Sequence, residues 1–211
     1  MSARAGEQGA GGVTPHDPMT LPADLPRPLD DGGADHLPGA QLPHVVLVDT
    51  DGQRVDLAAL AGRSIVYAYP RTGRPGQEPL VDDWDLIPGA RGCTPQACSF
   101  RDHHAELTQL GARVFGLSTQ DSAYQAEAVE RLHLPFPLLS DEHLALGTAL
   151  RLPTFTAAGQ RLLRRLTLLV RDGVVEHVWY PVFPPDTHAA DVVAWLGEHL
   201  EGSSDPVRAG S

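Results

Sequence analysis

The sequence predicts an α/β domain of three layers around a central mixed β-sheet. Three observations predict it. Strand-like and helix-like patterns alternate through the middle of the chain in the order β-α-β-α-β. Two further strand patterns then meet across Arg171-Asp172-Gly173, a hairpin turn. Finally, an amphipathic helix closes the chain.

Each element has its own signal. HVVLV (44–48) reads as a strand, and DTDGQ after it as a turn. Leu57, Leu60 and Ala61 suggest one helical turn. SIVYAY (64–69) is a short β-branched and aromatic run, as expected of a buried strand, and Pro70 ends it. Residues 71–92, RTGRPGQEPLVDDWDLIPGARG, are irregular, and a loop of that length inside a domain is often functional. Ala97, Phe100, His104, Leu107 and Leu110 recur at helical spacing, and Gly111 closes that helix. ARVFGLS (112–118) is a strand and 121–133 a helix with an acidic start. FPLLS (136–140) is a strand, 142–150 a short helix, and RLTLLV (165–170) with VVEHVWY (174–180) the hairpin. In HAADVVAWLGEHL (188–200), Val192, Val193, Leu196 and Leu200 share a face.

The domain is expected over 39–201. Residues 1–38, rich in Gly and Pro, read as a disordered or loosely packed arm, and 202–211 as a disordered tail. Neither repeats nor a second domain are visible. The 211-residue chain has no lysine and a net charge of -11. Without a basic patch, nucleic acid is not expected as a partner. Without an apolar run of ~20 residues or a signal-like N-terminus, the chain reads as a soluble cytoplasmic protein with no membrane partner.

Both cysteines fall in IPGARGCTPQACSFRD (87–102), as Cys93 and Cys98. In a reducing compartment, a lone pair is more often redox-active or metal-binding than structural. Cys93 sits where a helix should begin, with Pro95 favoured in its first turn. Free N–H groups there stabilise a thiolate, the reactive form, and Arg91 adds positive charge. On an intact helix, residues five apart have Cα atoms ~8.6 Å apart, whereas a disulfide needs less than about 7 Å. The spacing thus suits a switch, in which oxidation of Cys93 is followed by unwinding and capture by Cys98. The plain alternative for Cys98 is a core residue. A metal site is disfavoured, since His103 and His104 are adjacent and diverge by about 100°.

GCTPQACSFRDHHAEL resembles the peroxiredoxins, and its C-x4-C resembles their Q-type branch, the bacterioferritin comigratory proteins. HVVLVDTDGQRVDLAALAGRSIVYAYP, GARVFGLSTQ and RRLTLLVRDGVVEHVWYPV extend the likeness over about residues 40–200. The resemblance implies a thioredoxin-like fold and a thiol-dependent peroxidase with neither metal nor organic cofactor. It implies Cys93 as the peroxidatic nucleophile and Cys98 as the resolving thiol, with an intramolecular disulfide recycled by thioredoxin or a similar protein reductant. Arg165 falls where the family's arginine orients thiolate and peroxide. Arg164 is its neighbour, expected on the other sheet face as a solvated charge. A monomer or homodimer is expected.

One feature departs from the family. Peroxiredoxins place a proline seven residues and a Thr or Ser three residues before the nucleophile. Here these positions hold Leu86 and Ala90. Pro70 fits the shielding proline, and Thr72 is the nearest hydroxyl after it, so 71–92 reads as an insertion. Thr72 is either a peroxide hydrogen-bond donor folded back beside Cys93 or a turn residue. Trp84 either caps the site or packs. WYPVFPPD (179–186) either walls a pocket, forms a partner surface or is a core edge. The departure keeps two rivals open, a thiol–disulfide oxidoreductase and a redox-sensing module.

Overall fold

The computed structural model describes residues 17–201. In chain order it runs β1 (Val46–Asp49), β2 (Arg54–Asp56), β3 (Arg63–Ala68), α1 (Cys93–Asp102), α2 (His104–Gln109), β4 (Ala112–Ser118), α3 (Ser122–Leu132) and β5 (Leu138–Ser140). It continues with α4 (Ala145–Ala149), β6 (Thr154–Ala157), β7 (Gln160–Leu163), β8 (Leu166–Arg171), β9 (Val174–Trp179) and α5 (His188–Glu201). Among the described residues no helix is long and apolar enough to cross a membrane.

Seven strands form one mixed sheet in the order β2-β1-β5-β4-β3-β8-β9. β3, β4 and β5 run parallel, and the other pairings are antiparallel. Period-2 alternation assigns the faces. In β3 and just after it, Ile65, Tyr67 and Tyr69 pack with Phe100, Leu107, Val114, Leu132, Val192 and Leu196, beneath α1, α2, α3 and α5. Val66 and Ala68 face the opposite cluster, with Leu117, Leu139, Leu146, Leu168 and Val175.

That second face explains a correction. Its helix, α4, has only five residues, so much apolar sheet would meet water. The arm covers it. Ala34, Leu37 and Leu42 are buried in this cluster, and Gly39, Ala40 and Leu42 exchange backbone hydrogen bonds with β9 and its turn. Ala34 and Leu37, expected in a disordered or loosely packed arm, thus pack against the sheet. Lone apolar residues among Gly and Pro gave no periodicity to find them by. Residues 1–16 of the arm and the 202–211 tail lie outside the described residues.

Two smaller differences follow from local chemistry. The helix expected through Leu110 breaks into α1 and α2 at His103, whose backbone N–H and ring Nδ1 both bond the Ser99 carbonyl, at 3.1 and 2.9 Å. The β6–β7 hairpin was missed. Its turn is Ala158-Gly159, both at positive φ, and alanine is a poor signal for that conformation.

Candidate active site

β3 ends at Ala68, beside β4 in parallel register. The loops leaving the carboxyl ends of such strands meet at one edge of the sheet. Residues 71–92 leave from there and deliver Cys93 as the first residue of α1. Gly92 makes the turn, with φ 99, a conformation that disfavours any Cβ. A Cβ at Gly92 would also stand 2.4 Å from Pro185 and 2.9 Å from Leu21. Pro185, from the Pro-rich stretch 179–186, is therefore a wall behind the nucleophile's turn.

The floor of the site is a buried polar knot. Arg165 is 3% exposed. Its Nη2 donates to Cys93 Sγ at 3.2 Å and to the carbonyls of Gly89, Ala90 and Arg91 at 3.2, 3.4 and 3.0 Å. Its Nη1 donates to Gln96 Oε1. A guanidinium fork serves several acceptors at once, which an ammonium point charge does less well. Sγ itself donates to the Ala90 carbonyl at 3.5 Å. Cys93, Thr94 and Gln96 stand in the first turn of a ten-residue helix, so the dipole also favours negative charge on the sulfur. Beneath lies His188, whose Nε2 meets Thr167 Oγ1 at 2.9 Å. Burial, then the charge of Arg165, push its pKa down to about 3, so it is neutral at pH 7.

The loop of residues 71–92 forms the roof. A cavity of about 260 Å³ lies between Cys93 and the loop, lined also by Arg71, Thr72, Leu80, Trp84 and Tyr124. Thr72 is 1% exposed. Its N–H and hydroxyl both donate to Gln120 Oε1, at 2.8 and 3.0 Å, and Tyr124 Oη donates to its carbonyl at 3.3 Å. The Thr72 proton therefore rests on Gln120. Pro70 is buried and takes a hydrogen bond from Ser118 Oγ at 3.1 Å. It is not among the residues lining the cavity. Trp84 does both things open to it: it lines the cavity and packs with Ala90, Ala157 and Leu162.

Cys98 lies farther along α1 and is also buried, and both thiols are free. Burial pushes the Cys98 thiol above its ordinary value, while the charges of Arg101 and Arg131 oppose that and Asp102 adds to it. Arg164 turns away from the sulfur toward the Phe155 ring (5.9 Å). It is half-buried rather than the solvated charge expected of it. Sequence reasoning missed Gln96 and Gln120 as partners of Arg165 and Thr72. Each lies inside a quoted motif, but only the fold shows what it bonds.

The redoxin family model matches residues 37–194. Peroxiredoxin Bcp of Escherichia coli is 32% identical over 162 residues, covering 74% of this chain and 93% of its own. The chain belongs to the Q-type, Bcp-like peroxiredoxins. Chloroplastic peroxiredoxin Q of Oryza sativa is 32% identical over 75% of this chain, a match spanning 65% of the rice protein's length. The crystal structure of peroxidoxin BcpB from Mycobacterium tuberculosis superposes with a TM-score of 0.63 and 26% identity, covering 77% of this chain and 98% of that one. The fold is thus thioredoxin-like, as the sequence resemblance implied. Within this peroxiredoxin, residues 71–92 connect the end of β3 to Cys93. They return Thr72 to the same cavity as Cys93 across twenty intervening residues.

Proposed function

We propose that the protein is a thiol-dependent peroxidase that reduces hydrogen peroxide and organic hydroperoxides. One observation carries the reading: Arg165 Nη2 lies 3.2 Å from Cys93 Sγ, and Cys93 itself lines a cavity of about 260 Å³. A cation beside the sulfur stabilises negative charge where it develops and leaves.

The Cys93 thiolate attacks the terminal oxygen of R–O–O–H. An S–O bond forms and the O–O bond breaks. The departing alkoxide takes a proton and leaves as alcohol, or as water from hydrogen peroxide. Arg165 holds the thiolate and neutralises the leaving oxygen. Pro70 closes the strand end and Thr72 orders the roof. Cys98 then attacks the Cys93 sulfenic acid as thiolate. The S–S bond forms, the S–O bond breaks, and hydroxide leaves to take a proton.

Resolution needs movement. With α1 intact the Cα atoms stand ~8.6 Å apart, beyond disulfide reach. The first turn must unwind, releasing Gln96 N–H from the Gly92 carbonyl and Gln96 Oε1 from Arg165. A thioredoxin-like protein would reduce the disulfide, in a reducing compartment such as the cytoplasm.

The test is stopped-flow oxidation of the reduced full-length protein by hydrogen peroxide and cumene hydroperoxide, followed by intact mass. The expected result is fast loss of two hydrogens, abolished in Cys93→Ser. In Cys98→Ser, one oxygen should be gained and turnover should stall at the sulfenic acid. A reaction no faster than that of a free thiol would sink the peroxidase reading and leave exchange or sensing.

A further inference from the structure

We propose that the loop of residues 71–92 makes the cavity over Cys93 a subsite for organic hydroperoxides that carry a carboxylate, with Arg71 as the residue that reads it. The proposal rests on the peroxidase reading and names its substrate class.

Size comes first. A water molecule takes about 30 Å³ of liquid, and hydrogen peroxide is little larger. The cavity of about 260 Å³ leaves most of its room to something else. Its walls differ in character. Pro79, Leu80 and Trp84 are apolar, while Arg71 and Arg74 stand on another side over the Tyr124 ring, at 4.7 and 4.0 Å. An organic body with an anionic end matches both walls.

The charges then single out one residue. Arg74 faces Glu127 at 3.3 Å. Arg91 faces Asp85 at 3.4 Å and donates to the carbonyls of Asp17 and Thr20. Arg165 is committed to the sulfur and to Gln96. Arg71 is half-buried and held over Tyr124. Among the described residues it has no ion pair and no hydrogen bond. A guanidinium over a ring keeps its N–H edge for a carboxylate, in the two-pronged geometry that arginine favours. The only lining carboxylate among the described residues is Glu78, which is exposed and opposes an anion. The chain as a whole carries -11 and repels anions at long range. A local cation at the cavity wall is what would admit one.

The experiment compares second-order oxidation rates of the reduced protein with hydrogen peroxide, cumene hydroperoxide and cumene hydroperoxide bearing a para-carboxylate. The readout is the carboxylated-to-neutral ratio, in wild type, Arg71→Gln and Glu78→Gln. In wild type, at moderate ionic strength, the ratio should be about 5–10. It should fall to about 1 in Arg71→Gln and rise roughly twofold in Glu78→Gln. A wild-type ratio of 1 or less overturns the subsite without calling on any variant. So does an Arg71→Gln ratio equal to wild type. If hydrogen peroxide itself reacts no faster than with a free thiol, the peroxidase reading has failed and the subsite falls with it. Fast hydrogen peroxide reaction with a ratio of 1 removes the subsite alone.

Discussion

The floor and the roof of the site are built differently. The floor is one buried guanidinium that donates to a sulfur, three carbonyls and a side-chain amide, at the start of a helix packed into the core. The roof is an irregular loop of about twenty residues. It is tied down at its start by Gln120 and Tyr124, along its length by Trp84 and by arginines over a tyrosine, and at its end by Arg91. A buried network is costly to break because every member left behind loses its partner. A surface loop tolerates change, since its groups fall back on water. The contrast assigns chemistry to the floor and selection to the roof, and it can be tested from both sides.

The largest effect should come from Arg165→Ala. It removes the cation beside the reacting sulfur and strands Gln96 Oε1. Loss of one such electrostatic donor costs about 10²–10³ in rate, so stopped-flow oxidation by hydrogen peroxide should slow by that factor. A rate within threefold of wild type would show that the floor does not carry the chemistry. Next in size is Gly92→Ala. The added methyl meets Pro185 and Leu21 at a left-handed φ. Strain and clash together predict a stability loss of about 2–4 kcal/mol in chemical denaturation. An unchanged midpoint would mean that Pro185 yields easily and that the wall behind Cys93 is soft.

Below the floor, His188 gives it an acid limit. Its pKa is held at about 3 in the folded protein against an ordinary 6.5. As pH falls below 6.5, the unfolded chain takes up a proton there and the folded one does not. Its contribution is therefore intact above pH 6.5 and lost progressively toward pH 3. Between pH 6.5 and 5 the loss is about 2 kcal/mol. His188→Asn should flatten that part of the stability–pH curve. Parallel curves for the two proteins would remove His188 as the cause.

The same division explains what could be read in the sequence. The strands and helices of the floor come from periodic apolar patterns, so β3, β4, α3 and the β8–β9 hairpin fell close to their expected places. Cys93 at a helix start was legible from Pro95 and from the motif. Arg165 was legible only through resemblance, since nothing local distinguishes it from Arg164. The covering role of Leu37 had no period to reveal it. In the roof, residues 71–92 announced themselves as irregular and no more. Which of their arginines has no ion pair among the described residues, and that Thr72 bonds Gln120 forty-eight positions away, are properties of the folded loop.

The smallest effect sharpens the comparison most. Gln120→Ala removes both acceptor contacts to Thr72 and the Nε2 donation to its carbonyl at 3.3 Å. It leaves Cys93 and Arg165 as they are. If the roof only selects, oxidation by hydrogen peroxide should slow by no more than about tenfold, 1.4 kcal/mol in the barrier. Thr72→Val supplies the contrast, because it deletes the hydroxyl while keeping the volume. A Thr72 that serves only as a turn residue makes the two variants equally mild. If Thr72 instead turns its hydroxyl from Gln120 to the bound peroxide during the reaction, Thr72→Val must be the slower by a clear margin. In that case Gln120 is the resting partner that keeps the group in place between turnovers, and the roof shares in the chemistry at this one residue.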